Sequence, residues 1–264
     1  MPRNKLEQKD INMAPTVTKQ KDAIQDIVRN VLSTGFFDKI KITAGKKETL
    51  IEALEKDKQV ILKARTLLPV EEWQGEFGLA NLSLLSAMVG DSEFSHKDST
   101  LELVTQSRGG EDVPTELHYK NRSRSFISYR FVAKEMVPDQ PKYNEPTWDV
   151  VVKPTKSVIQ QFAWAAGSLS AYEQYFIPKT VDGELRMFIG EEGAASQRGG
   201  VQFAADVKGD FESNHKWTIS LVSQVLKLVS ESDADFRLSV KGAIQVTLNS
   251  GIAEYRYIFP AKMR

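Results

Sequence analysis

The chain is 264 residues long, with 41% hydrophobic and 27% charged residues, 35 Lys plus Arg against 35 Asp plus Glu, and no cysteine. That composition excludes wholesale disorder, a collagen-like fibre and a coiled-coil rod. The missing cysteines exclude disulfides, thiolate metal sites and a cysteine nucleophile, and the zero formal charge excludes a general basic DNA coat.

Residues 1–15 are polar, lack the apolar segment of a secretory signal and read as a disordered tail. Thr16 to Thr18 is the only candidate for a first strand. Lys19 to Thr34 reads as a helix with Ile24, Ile27, Val28, Val31 and Leu32 on one face, stopped by Gly35. Strands follow at Phe37 to Thr43, Glu48 to Leu54, Gln59 to Thr66 and Glu76 to Leu79. A helix from Leu82 to Val89 comes next, then strands at Glu93 to His96, Thr100 to Gln106, Thr115 to Lys120 and Ser125 to Lys134.

Glu135 to Pro146 holds three prolines in twelve residues, which makes it extended and unsuited to a sheet interior. It divides the chain into residues 16–134, a linker at 135–146 and residues 147–264. In the second part Thr147 to Lys153 is β-rich, and Pro154 opens a helix carrying Val158, Ile159, Phe162, Ala163 and Ala166, ended by Gly167. Strands read at Tyr172 to Lys179, Glu184 to Gly190, Val201 to Val207 and Lys216 to Ile219, with a hairpin at Asp182–Gly183. A helix at Ser220 to Ser230 precedes strands at Asp235 to Lys241, Ala243 to Asn249 and Ala253 to Pro260. In the last of these Tyr255, Tyr257 and Phe259 share a side. The second part thus reads β-α-β-β-β twice over, and the first part is a blurred copy.

No motif for catalysis stands out. His96, His118 and His215 lack metal-ligand spacing, and neither a phosphate-binding G-x-x-x-x-G-K-[ST] loop nor a G-x-S-x-G elbow occurs. Gly109–Gly110 and Gly199–Gly200, each after an arginine, read as flexible turns, and Glu71–Glu72 and Glu191–Glu192 as solvated surface. The expectation is a non-enzyme without metal or cofactor, in the cytoplasm and not in a membrane.

Two consecutive β-α-β-β-β-β-α-β-β-β units joined by a long linker resemble the DNA polymerase sliding clamps, of the two-domain type that includes proliferating cell nuclear antigen and the clamps of tailed phages. Lys216-Trp217-Thr218-Ile219 leading into the last helix is similar to the corresponding clamp segment. So are the terminal Tyr255-Arg256-Tyr257-Ile258-Phe259-Pro260-Ala261-Lys262 and Phe77-Gly78-Leu79-Ala80-Asn81-Leu82 before the second helix. The resemblance implies an α+β processivity fold in a ring, with sheets outside and helices lining a central hole. Three copies of the chain would encircle double-stranded DNA without reading its sequence, with a DNA polymerase and a clamp loader as partners. A cysteine-free, divergent clamp suits a phage, and then the host cytoplasm.

Helical spacing offers polar faces for that hole: Lys21, Gln25 and Arg29; Ser83 and Ser86; Lys156 and Gln160, with Lys153 just before them; and Ser223, Gln224 and Lys227. Phosphate contacts from such residues hold DNA without specifying sequence. Affinity for short open duplexes should then be weak and steeply salt-dependent. The resemblance also implies an apolar pocket for a partner's linear motif near the linker, with Met136, Val137, Pro138, Ile258, Phe259, Pro260 and Ala261 as candidates. Two competing readings are a monomeric electrostatic processivity factor, which needs a strongly basic surface, and a structural virion protein, which has no need of four polar helix faces.

Overall fold

The computed structural model describes residues 17–108, 110–190, 197–231 and 234–263. The tail at 1–15, Gly109 and Glu191–Glu192 lie outside them. The described residues form sixteen strands and four α-helices.

The first half begins with helix α1 (Gln20–Asn30), which ends in a 3-10 turn at Leu32–Thr34 and a left-handed Gly35 at φ 69°. Strands β1 (Ile40–Ala44), β2 (Thr49–Leu54), β3 (Ile61–Thr66) and β4 (Gly75–Leu79) follow, then α2 (Leu82–Val89), β5 (Thr100–Arg108), β6 (Glu111–Lys120) and β7 (Phe126–Arg130). The second half holds β8 (Val150–Val152), α3 (Lys156–Leu169), β9 (Tyr175–Val181), β10 (Glu184–Ile189), β11 (Gly199–Ala204) and β12 (His215–Thr218). It closes with α4 (Ile219–Leu226), β13 (Ala234–Ser239), β14 (Ala243–Asn249), β15 (Ala253–Pro260) and β16 (Lys262–Met263).

Several elements differ from the sequence expectation for local reasons. Of the expected first strand, Thr16 lies outside the described residues, and Thr18 makes a parallel bridge with Val70. Glu93 to His96 is a string of turns, not a strand: the Asp91 carboxylate accepts from the Glu93 amide at 3.0 Å, Ser99 Oγ donates to the Glu93 carbonyl at 2.6 Å, and Phe94 is buried beneath. Pro154 lies one residue outside α3. Thr155 is the cap, its Oγ1 accepting from the Val158 amide at 3.3 Å. Gly167 does not stop that helix, which runs on to Leu169. Gly199–Gly200 opens strand β11 instead of forming a turn. Asp182 and Gly183 both have positive φ, 51° and 77°, as a two-residue hairpin requires.

The strands form three sheets, ordered β4-β1-β2-β3-β15-β14-β13-β8, β11-β10-β9-β12-β16 and β5-β6-β7. The eight-stranded sheet is shared by the two halves. Its central pairing is antiparallel, β3 against β15, from Ile61↔Ile258 to Thr66↔Ala253. Period-two alternation gives this sheet two distinct faces. Ile42, Ile51, Leu62, Ala64, Tyr255, Tyr257, Val246 and Phe236 are buried on one side, and Lys41, Glu52, Lys63, Arg256 and Thr247 emerge on the other.

The helices pack on the apolar side. α1 is tied to β15 by hydrogen bonds from Tyr255 Oη to Asp26 Oδ2 (2.7 Å) and from Tyr257 Oη to the Asn30 carbonyl. Ser250 Oγ adds a 2.8 Å bond to the same Asp26 oxygen, and Asn30 Nδ2 reaches Asp26 Oδ1 at 2.8 Å. In the second half Phe162 of α3 meets Phe176 and Phe203, and Phe203 meets Phe236, so the core runs from the five-stranded sheet through the helix to the shared sheet. α1 packs beside α2 and α3 beside α4. Gln224 Nε2 of α4 reaches the Ser33 carbonyl just after α1 at 3.5 Å. The four helices therefore adjoin in the order α2, α1, α4, α3.

The linker crosses the opposite, polar side. Lys39 Nζ donates to the Met136 carbonyl at 2.8 Å, Gln140 Nε2 donates to the carbonyls of Ala53 (2.9 Å) and Leu62 (2.6 Å), and Tyr143 lies against Lys63. It straps the outside of the joint between the halves.

Candidate nucleic-acid interface

The helix layer gathers most of the polar residues that helical spacing singled out, but it uses them unequally. In α1, Lys21 donates to the carbonyls of Ser99 and His96 and lies 5.9 Å from the Phe94 ring, while Gln25 Nε2 donates to Ser95 Oγ at 2.6 Å. Burial among these groups pulls the Lys21 ammonium below its usual pKa. These two side chains hold the 91–99 loop, and Arg29 is the member of the set that stands exposed. On α2, Ser83 and Ser86 are exposed together with Leu84 and Ala87, a face of small uncharged groups.

On α3, Lys156 and Gln160 are exposed, and so are Ser157, Gln161, Gly167 and Ser168. At the centre of that face stands Trp164, 74% exposed, which the apolar-face reading passed over. The signal was available: buried Ile159, Phe162, Ala165 and Ala166 put residue 164 opposite the core on a 100° wheel. On α4, Lys227 is exposed and bonds Gln224 Oε1 at 3.2 Å, whereas Ser223 is turned inward with its Oγ buried. Lys153 does not join the helix layer. Val150 is buried, so alternation along β8 sends Lys153 to the outer face, 4.0 Å from Asp235.

The exposed cations of the predicted set that lie in the helix layer are thus Arg29, Lys156 and Lys227, with Lys153 exposed on the outer face. Beside them the exposed helix residues include hydroxyls, amides, Gly167, the Trp164 indole, Leu84, Ala87 and the acidic Asp22.

The residues suggested for a partner pocket fall in two groups at the same end of the shared sheet. Met136 is 58% exposed and Pro138 is exposed, but Val137 is buried with its Cγ2 over Gly78, where a Cβ would come within 2.5 Å. Ile258 and Phe259 are both buried, and the Phe259 carbonyl accepts from Trp217 Nε1 at 3.0 Å. Pro260 is exposed and Ala261 half-buried. Strands β2 and β3 separate the groups, roughly 14 Å at three strand spacings. A groove of about 290 Å³ does lie between linker and sheet, but it is polar, lined by Lys41, Glu52, Lys63, Pro138, Gln140 and Tyr143 among others. Burial pushes the Tyr143 hydroxyl up to about 12.

Among the described residues no cluster of three or more His, Asp or Glu is placed to hold a metal, and no helix is long and apolar enough to cross a membrane. His118 pairs with Glu116, and His96 Nδ1 accepts from the Asp98 amide.

An α+β chain of two similar halves, fused through one sheet with four adjoining helices on a single face, is the architecture of a DNA sliding clamp, and solved structures agree. The chain is similar to the A. fulgidus PCNA seen with the C-terminal region of FEN-1, with 10% identity, TM-score 0.66, and 92% of this chain and 96% of that one covered. PCNA from Thermococcus kodakaraensis gives 11% identity, TM-score 0.63 and coverage of 90% and 97%. Proliferating cellular nuclear antigen from Entamoeba histolytica gives 10%, 0.62, and 92% and 94%. No family model and no curated protein sequence matches the chain. It has the sliding-clamp fold, at a sequence distance where the fold alone is what the likeness establishes.

Proposed function

We propose that this chain is a DNA polymerase sliding clamp. Three copies, each made of repeats 16–134 and 147–264 joined by the linker 135–146, close head to tail into a ring that encircles duplex DNA. The ring tethers a polymerase, is placed on DNA by a clamp loader and performs no catalysis itself.

The observation that carries this reading is the joint inside the chain. β3 of the first half and β15 of the second fuse two repeats into one sheet. The equivalents of those strands at the ends of the molecule, β11 and β7, each have a neighbour on one side only among the described residues. Unpaired edges are open to a further strand. Repeating the internal joint from copy to copy satisfies both edges and, on closure, leaves none. The helix faces support the same reading: a neutral chain with Arg29, Lys156 and Lys227 exposed is better suited to holding DNA by enclosure than by charge. The polar groove under the linker, with the exposed Pro138 at its margin and Met136 two residues before it, is the place where a partner's linear motif would dock.

Two measurements test the proposal. Light scattering should give about three times 29.7 kDa. After loading, the protein should remain on circular DNA and leave when the circle is cut. A monomeric mass, or retention that ignores linearisation, would overturn it.

A further inference from the structure

Phe126 is the most exposed large hydrophobic residue among those described, at 76%, and it opens β7 on the outward side. Elsewhere on the outer surface, β9, β10 and β11 frame a groove of about 760 Å³ that includes Ile177, Phe188, Gly199 and Gly200. A Cβ at Gly200 would lie 3.3 and 3.5 Å from the Phe188 ring, so any side chain there would cover that ring. Neither Gly199 nor Gly200 is among the positive-φ residues, so the backbone does not require glycine at either place.

The internal repeat brings these two features into register. Across the first half and the internal joint, paired residues form one outward-facing row: Gly78, Lys41, Glu52, Lys63 and Arg256. In the second half, the pairings Ile177↔Phe188 and Phe188↔Gly200 continue from Lys216, which precedes the Trp217↔Phe176 pair, and build the matching row Lys216, Ile177, Phe188 and Gly200. That row stops at Gly200, where the first continues to Arg256. The residue that matches Arg256 on the free strand follows from two equivalent bridges. Gly78 pairs Val132 after β7, and Lys216 pairs Lys262 after β15, an offset of 262 − 132 = 130. Arg256 therefore corresponds to Phe126. The burial pattern agrees, with Tyr129 and Phe259 both buried and Arg130 and Pro260 both exposed.

We propose that Phe126 of one copy stands opposite Gly200 of the next and seats its ring on Phe188 in the slot that the glycine leaves open. This rests on the ring reading above and names the side chains that make its subunit joint. The two joints then differ in chemistry. Inside the chain, Lys63 and Arg256 meet and the linker covers them with Tyr143, whereas between chains an aromatic residue would rest on the Phe188 ring, in a groove whose margins carry Lys179, Arg186 and Glu212. Aromatic anchors in such pockets dominate the energetics of many interfaces.

The chain has no cysteine, so a paired substitution can be read without background. In the Phe126→Cys, Gly200→Cys double variant, residues directly opposite on antiparallel strands lie within disulfide reach. Mild oxidation should yield covalent dimers and closed trimers on a non-reducing gel. The offset pair Phe126→Cys, Gln202→Cys should link far less. Phe126→Ala, a surface change within the protomer, should raise the concentration at which the ring dissociates by about 100-fold. A trimeric wild type whose 126/200 pair links no better than the 126/202 pair, with Phe126→Ala assembling normally, overturns this inference and leaves the ring intact. A wild-type chain that is monomeric at micromolar concentration overturns the ring and this joint together.

Discussion

In the proposed repeat, the joint of β3 with β15 and the edges β7 and β11, unpaired among the described residues, are equivalent strands used in opposite ways. At the internal joint, α1 is hydrogen-bonded to β15 through Asp26, Tyr255 and Tyr257, and the linker seals the far side through Gln140 and Tyr143. The free edges have neither device; they present Phe126 on one strand and a glycine pair on the other. A permanent joint tolerates buried polar groups because every partner is supplied by the same chain and set in place as it folds. In the proposed ring, the joint that opens for DNA to enter would part the Phe126 ring from the Phe188 ring beneath Gly200, an aromatic contact that leaves no unpaired charge behind.

The sharpest way to break the comparison is Asp26→Ala. It leaves the buried Tyr255 hydroxyl without its acceptor and removes partners from Ser250 and Asn30, with an expected cost of about 3 kcal/mol in urea unfolding. A loss below about 0.5 kcal/mol would mean that the cluster does not hold the halves together.

Acidity provides a subtler test of the same cluster. Burial raises the Asp26 pKa above 3.8, against the opposing effect of its hydrogen bonds. The folded state therefore binds this proton more tightly than the unfolded state. Its stabilising contribution is fullest below pH 3.8 and is lost as pH rises through the folded value. Wild type should gain stability relative to Asp26→Asn on acidification from pH 7 to 4. Parallel urea titrations of the two proteins check this, and a constant difference would refute it.

Gln140→Ala should cost about 1 kcal/mol by removing the linker's two bonds to the sheet. Its clearest readout is faster proteolysis within residues 138–146 while β3 and β15 stay protected from hydrogen exchange. On the helix face, Lys156→Ala or Lys227→Ala should each lower the log–log salt slope of DNA binding by about one unit, the effect of one fewer phosphate neutralised, without changing ring mass. The smallest effect on stability belongs to Trp164→Ala, within about 0.5 kcal/mol of wild type, since its ring is exposed. The same substitution should remove most of the DNA-dependent quenching of tryptophan fluorescence, because of the other three tryptophans Trp73 and Trp217 are buried and Trp148 is half-buried and bonded to Glu145 of the linker.

Much of this architecture was legible residue by residue. The helix faces from Ile24 to Val31 and from Leu221 to Val229, the Asp182–Gly183 hairpin and the Tyr255, Tyr257, Phe259 alternation all follow from local periodicity and turn chemistry. Glu93 to His96 misread as a strand because its apolar and polar residues alternate, while the Asp91 and Ser99 side chains bend the backbone into turns. The candidate site was legible on α3 and less so on α1 and α4. Spacing identifies a polar face, but not whether another loop covers it, as the 91–99 loop covers Lys21 and Gln25.

The order and type of most elements were written in the sequence, because 3.6- and 2-residue periods and proline geometry act over a few neighbours. The pairing of β3 with β15, the sealing of that joint by the linker, the inward turn of Ser223 and the meeting of Asp26 with Tyr255 were settled only in three dimensions. They join residues up to 229 positions apart, and no local pattern records which distant strand completes an edge or which loop comes to rest on a helix.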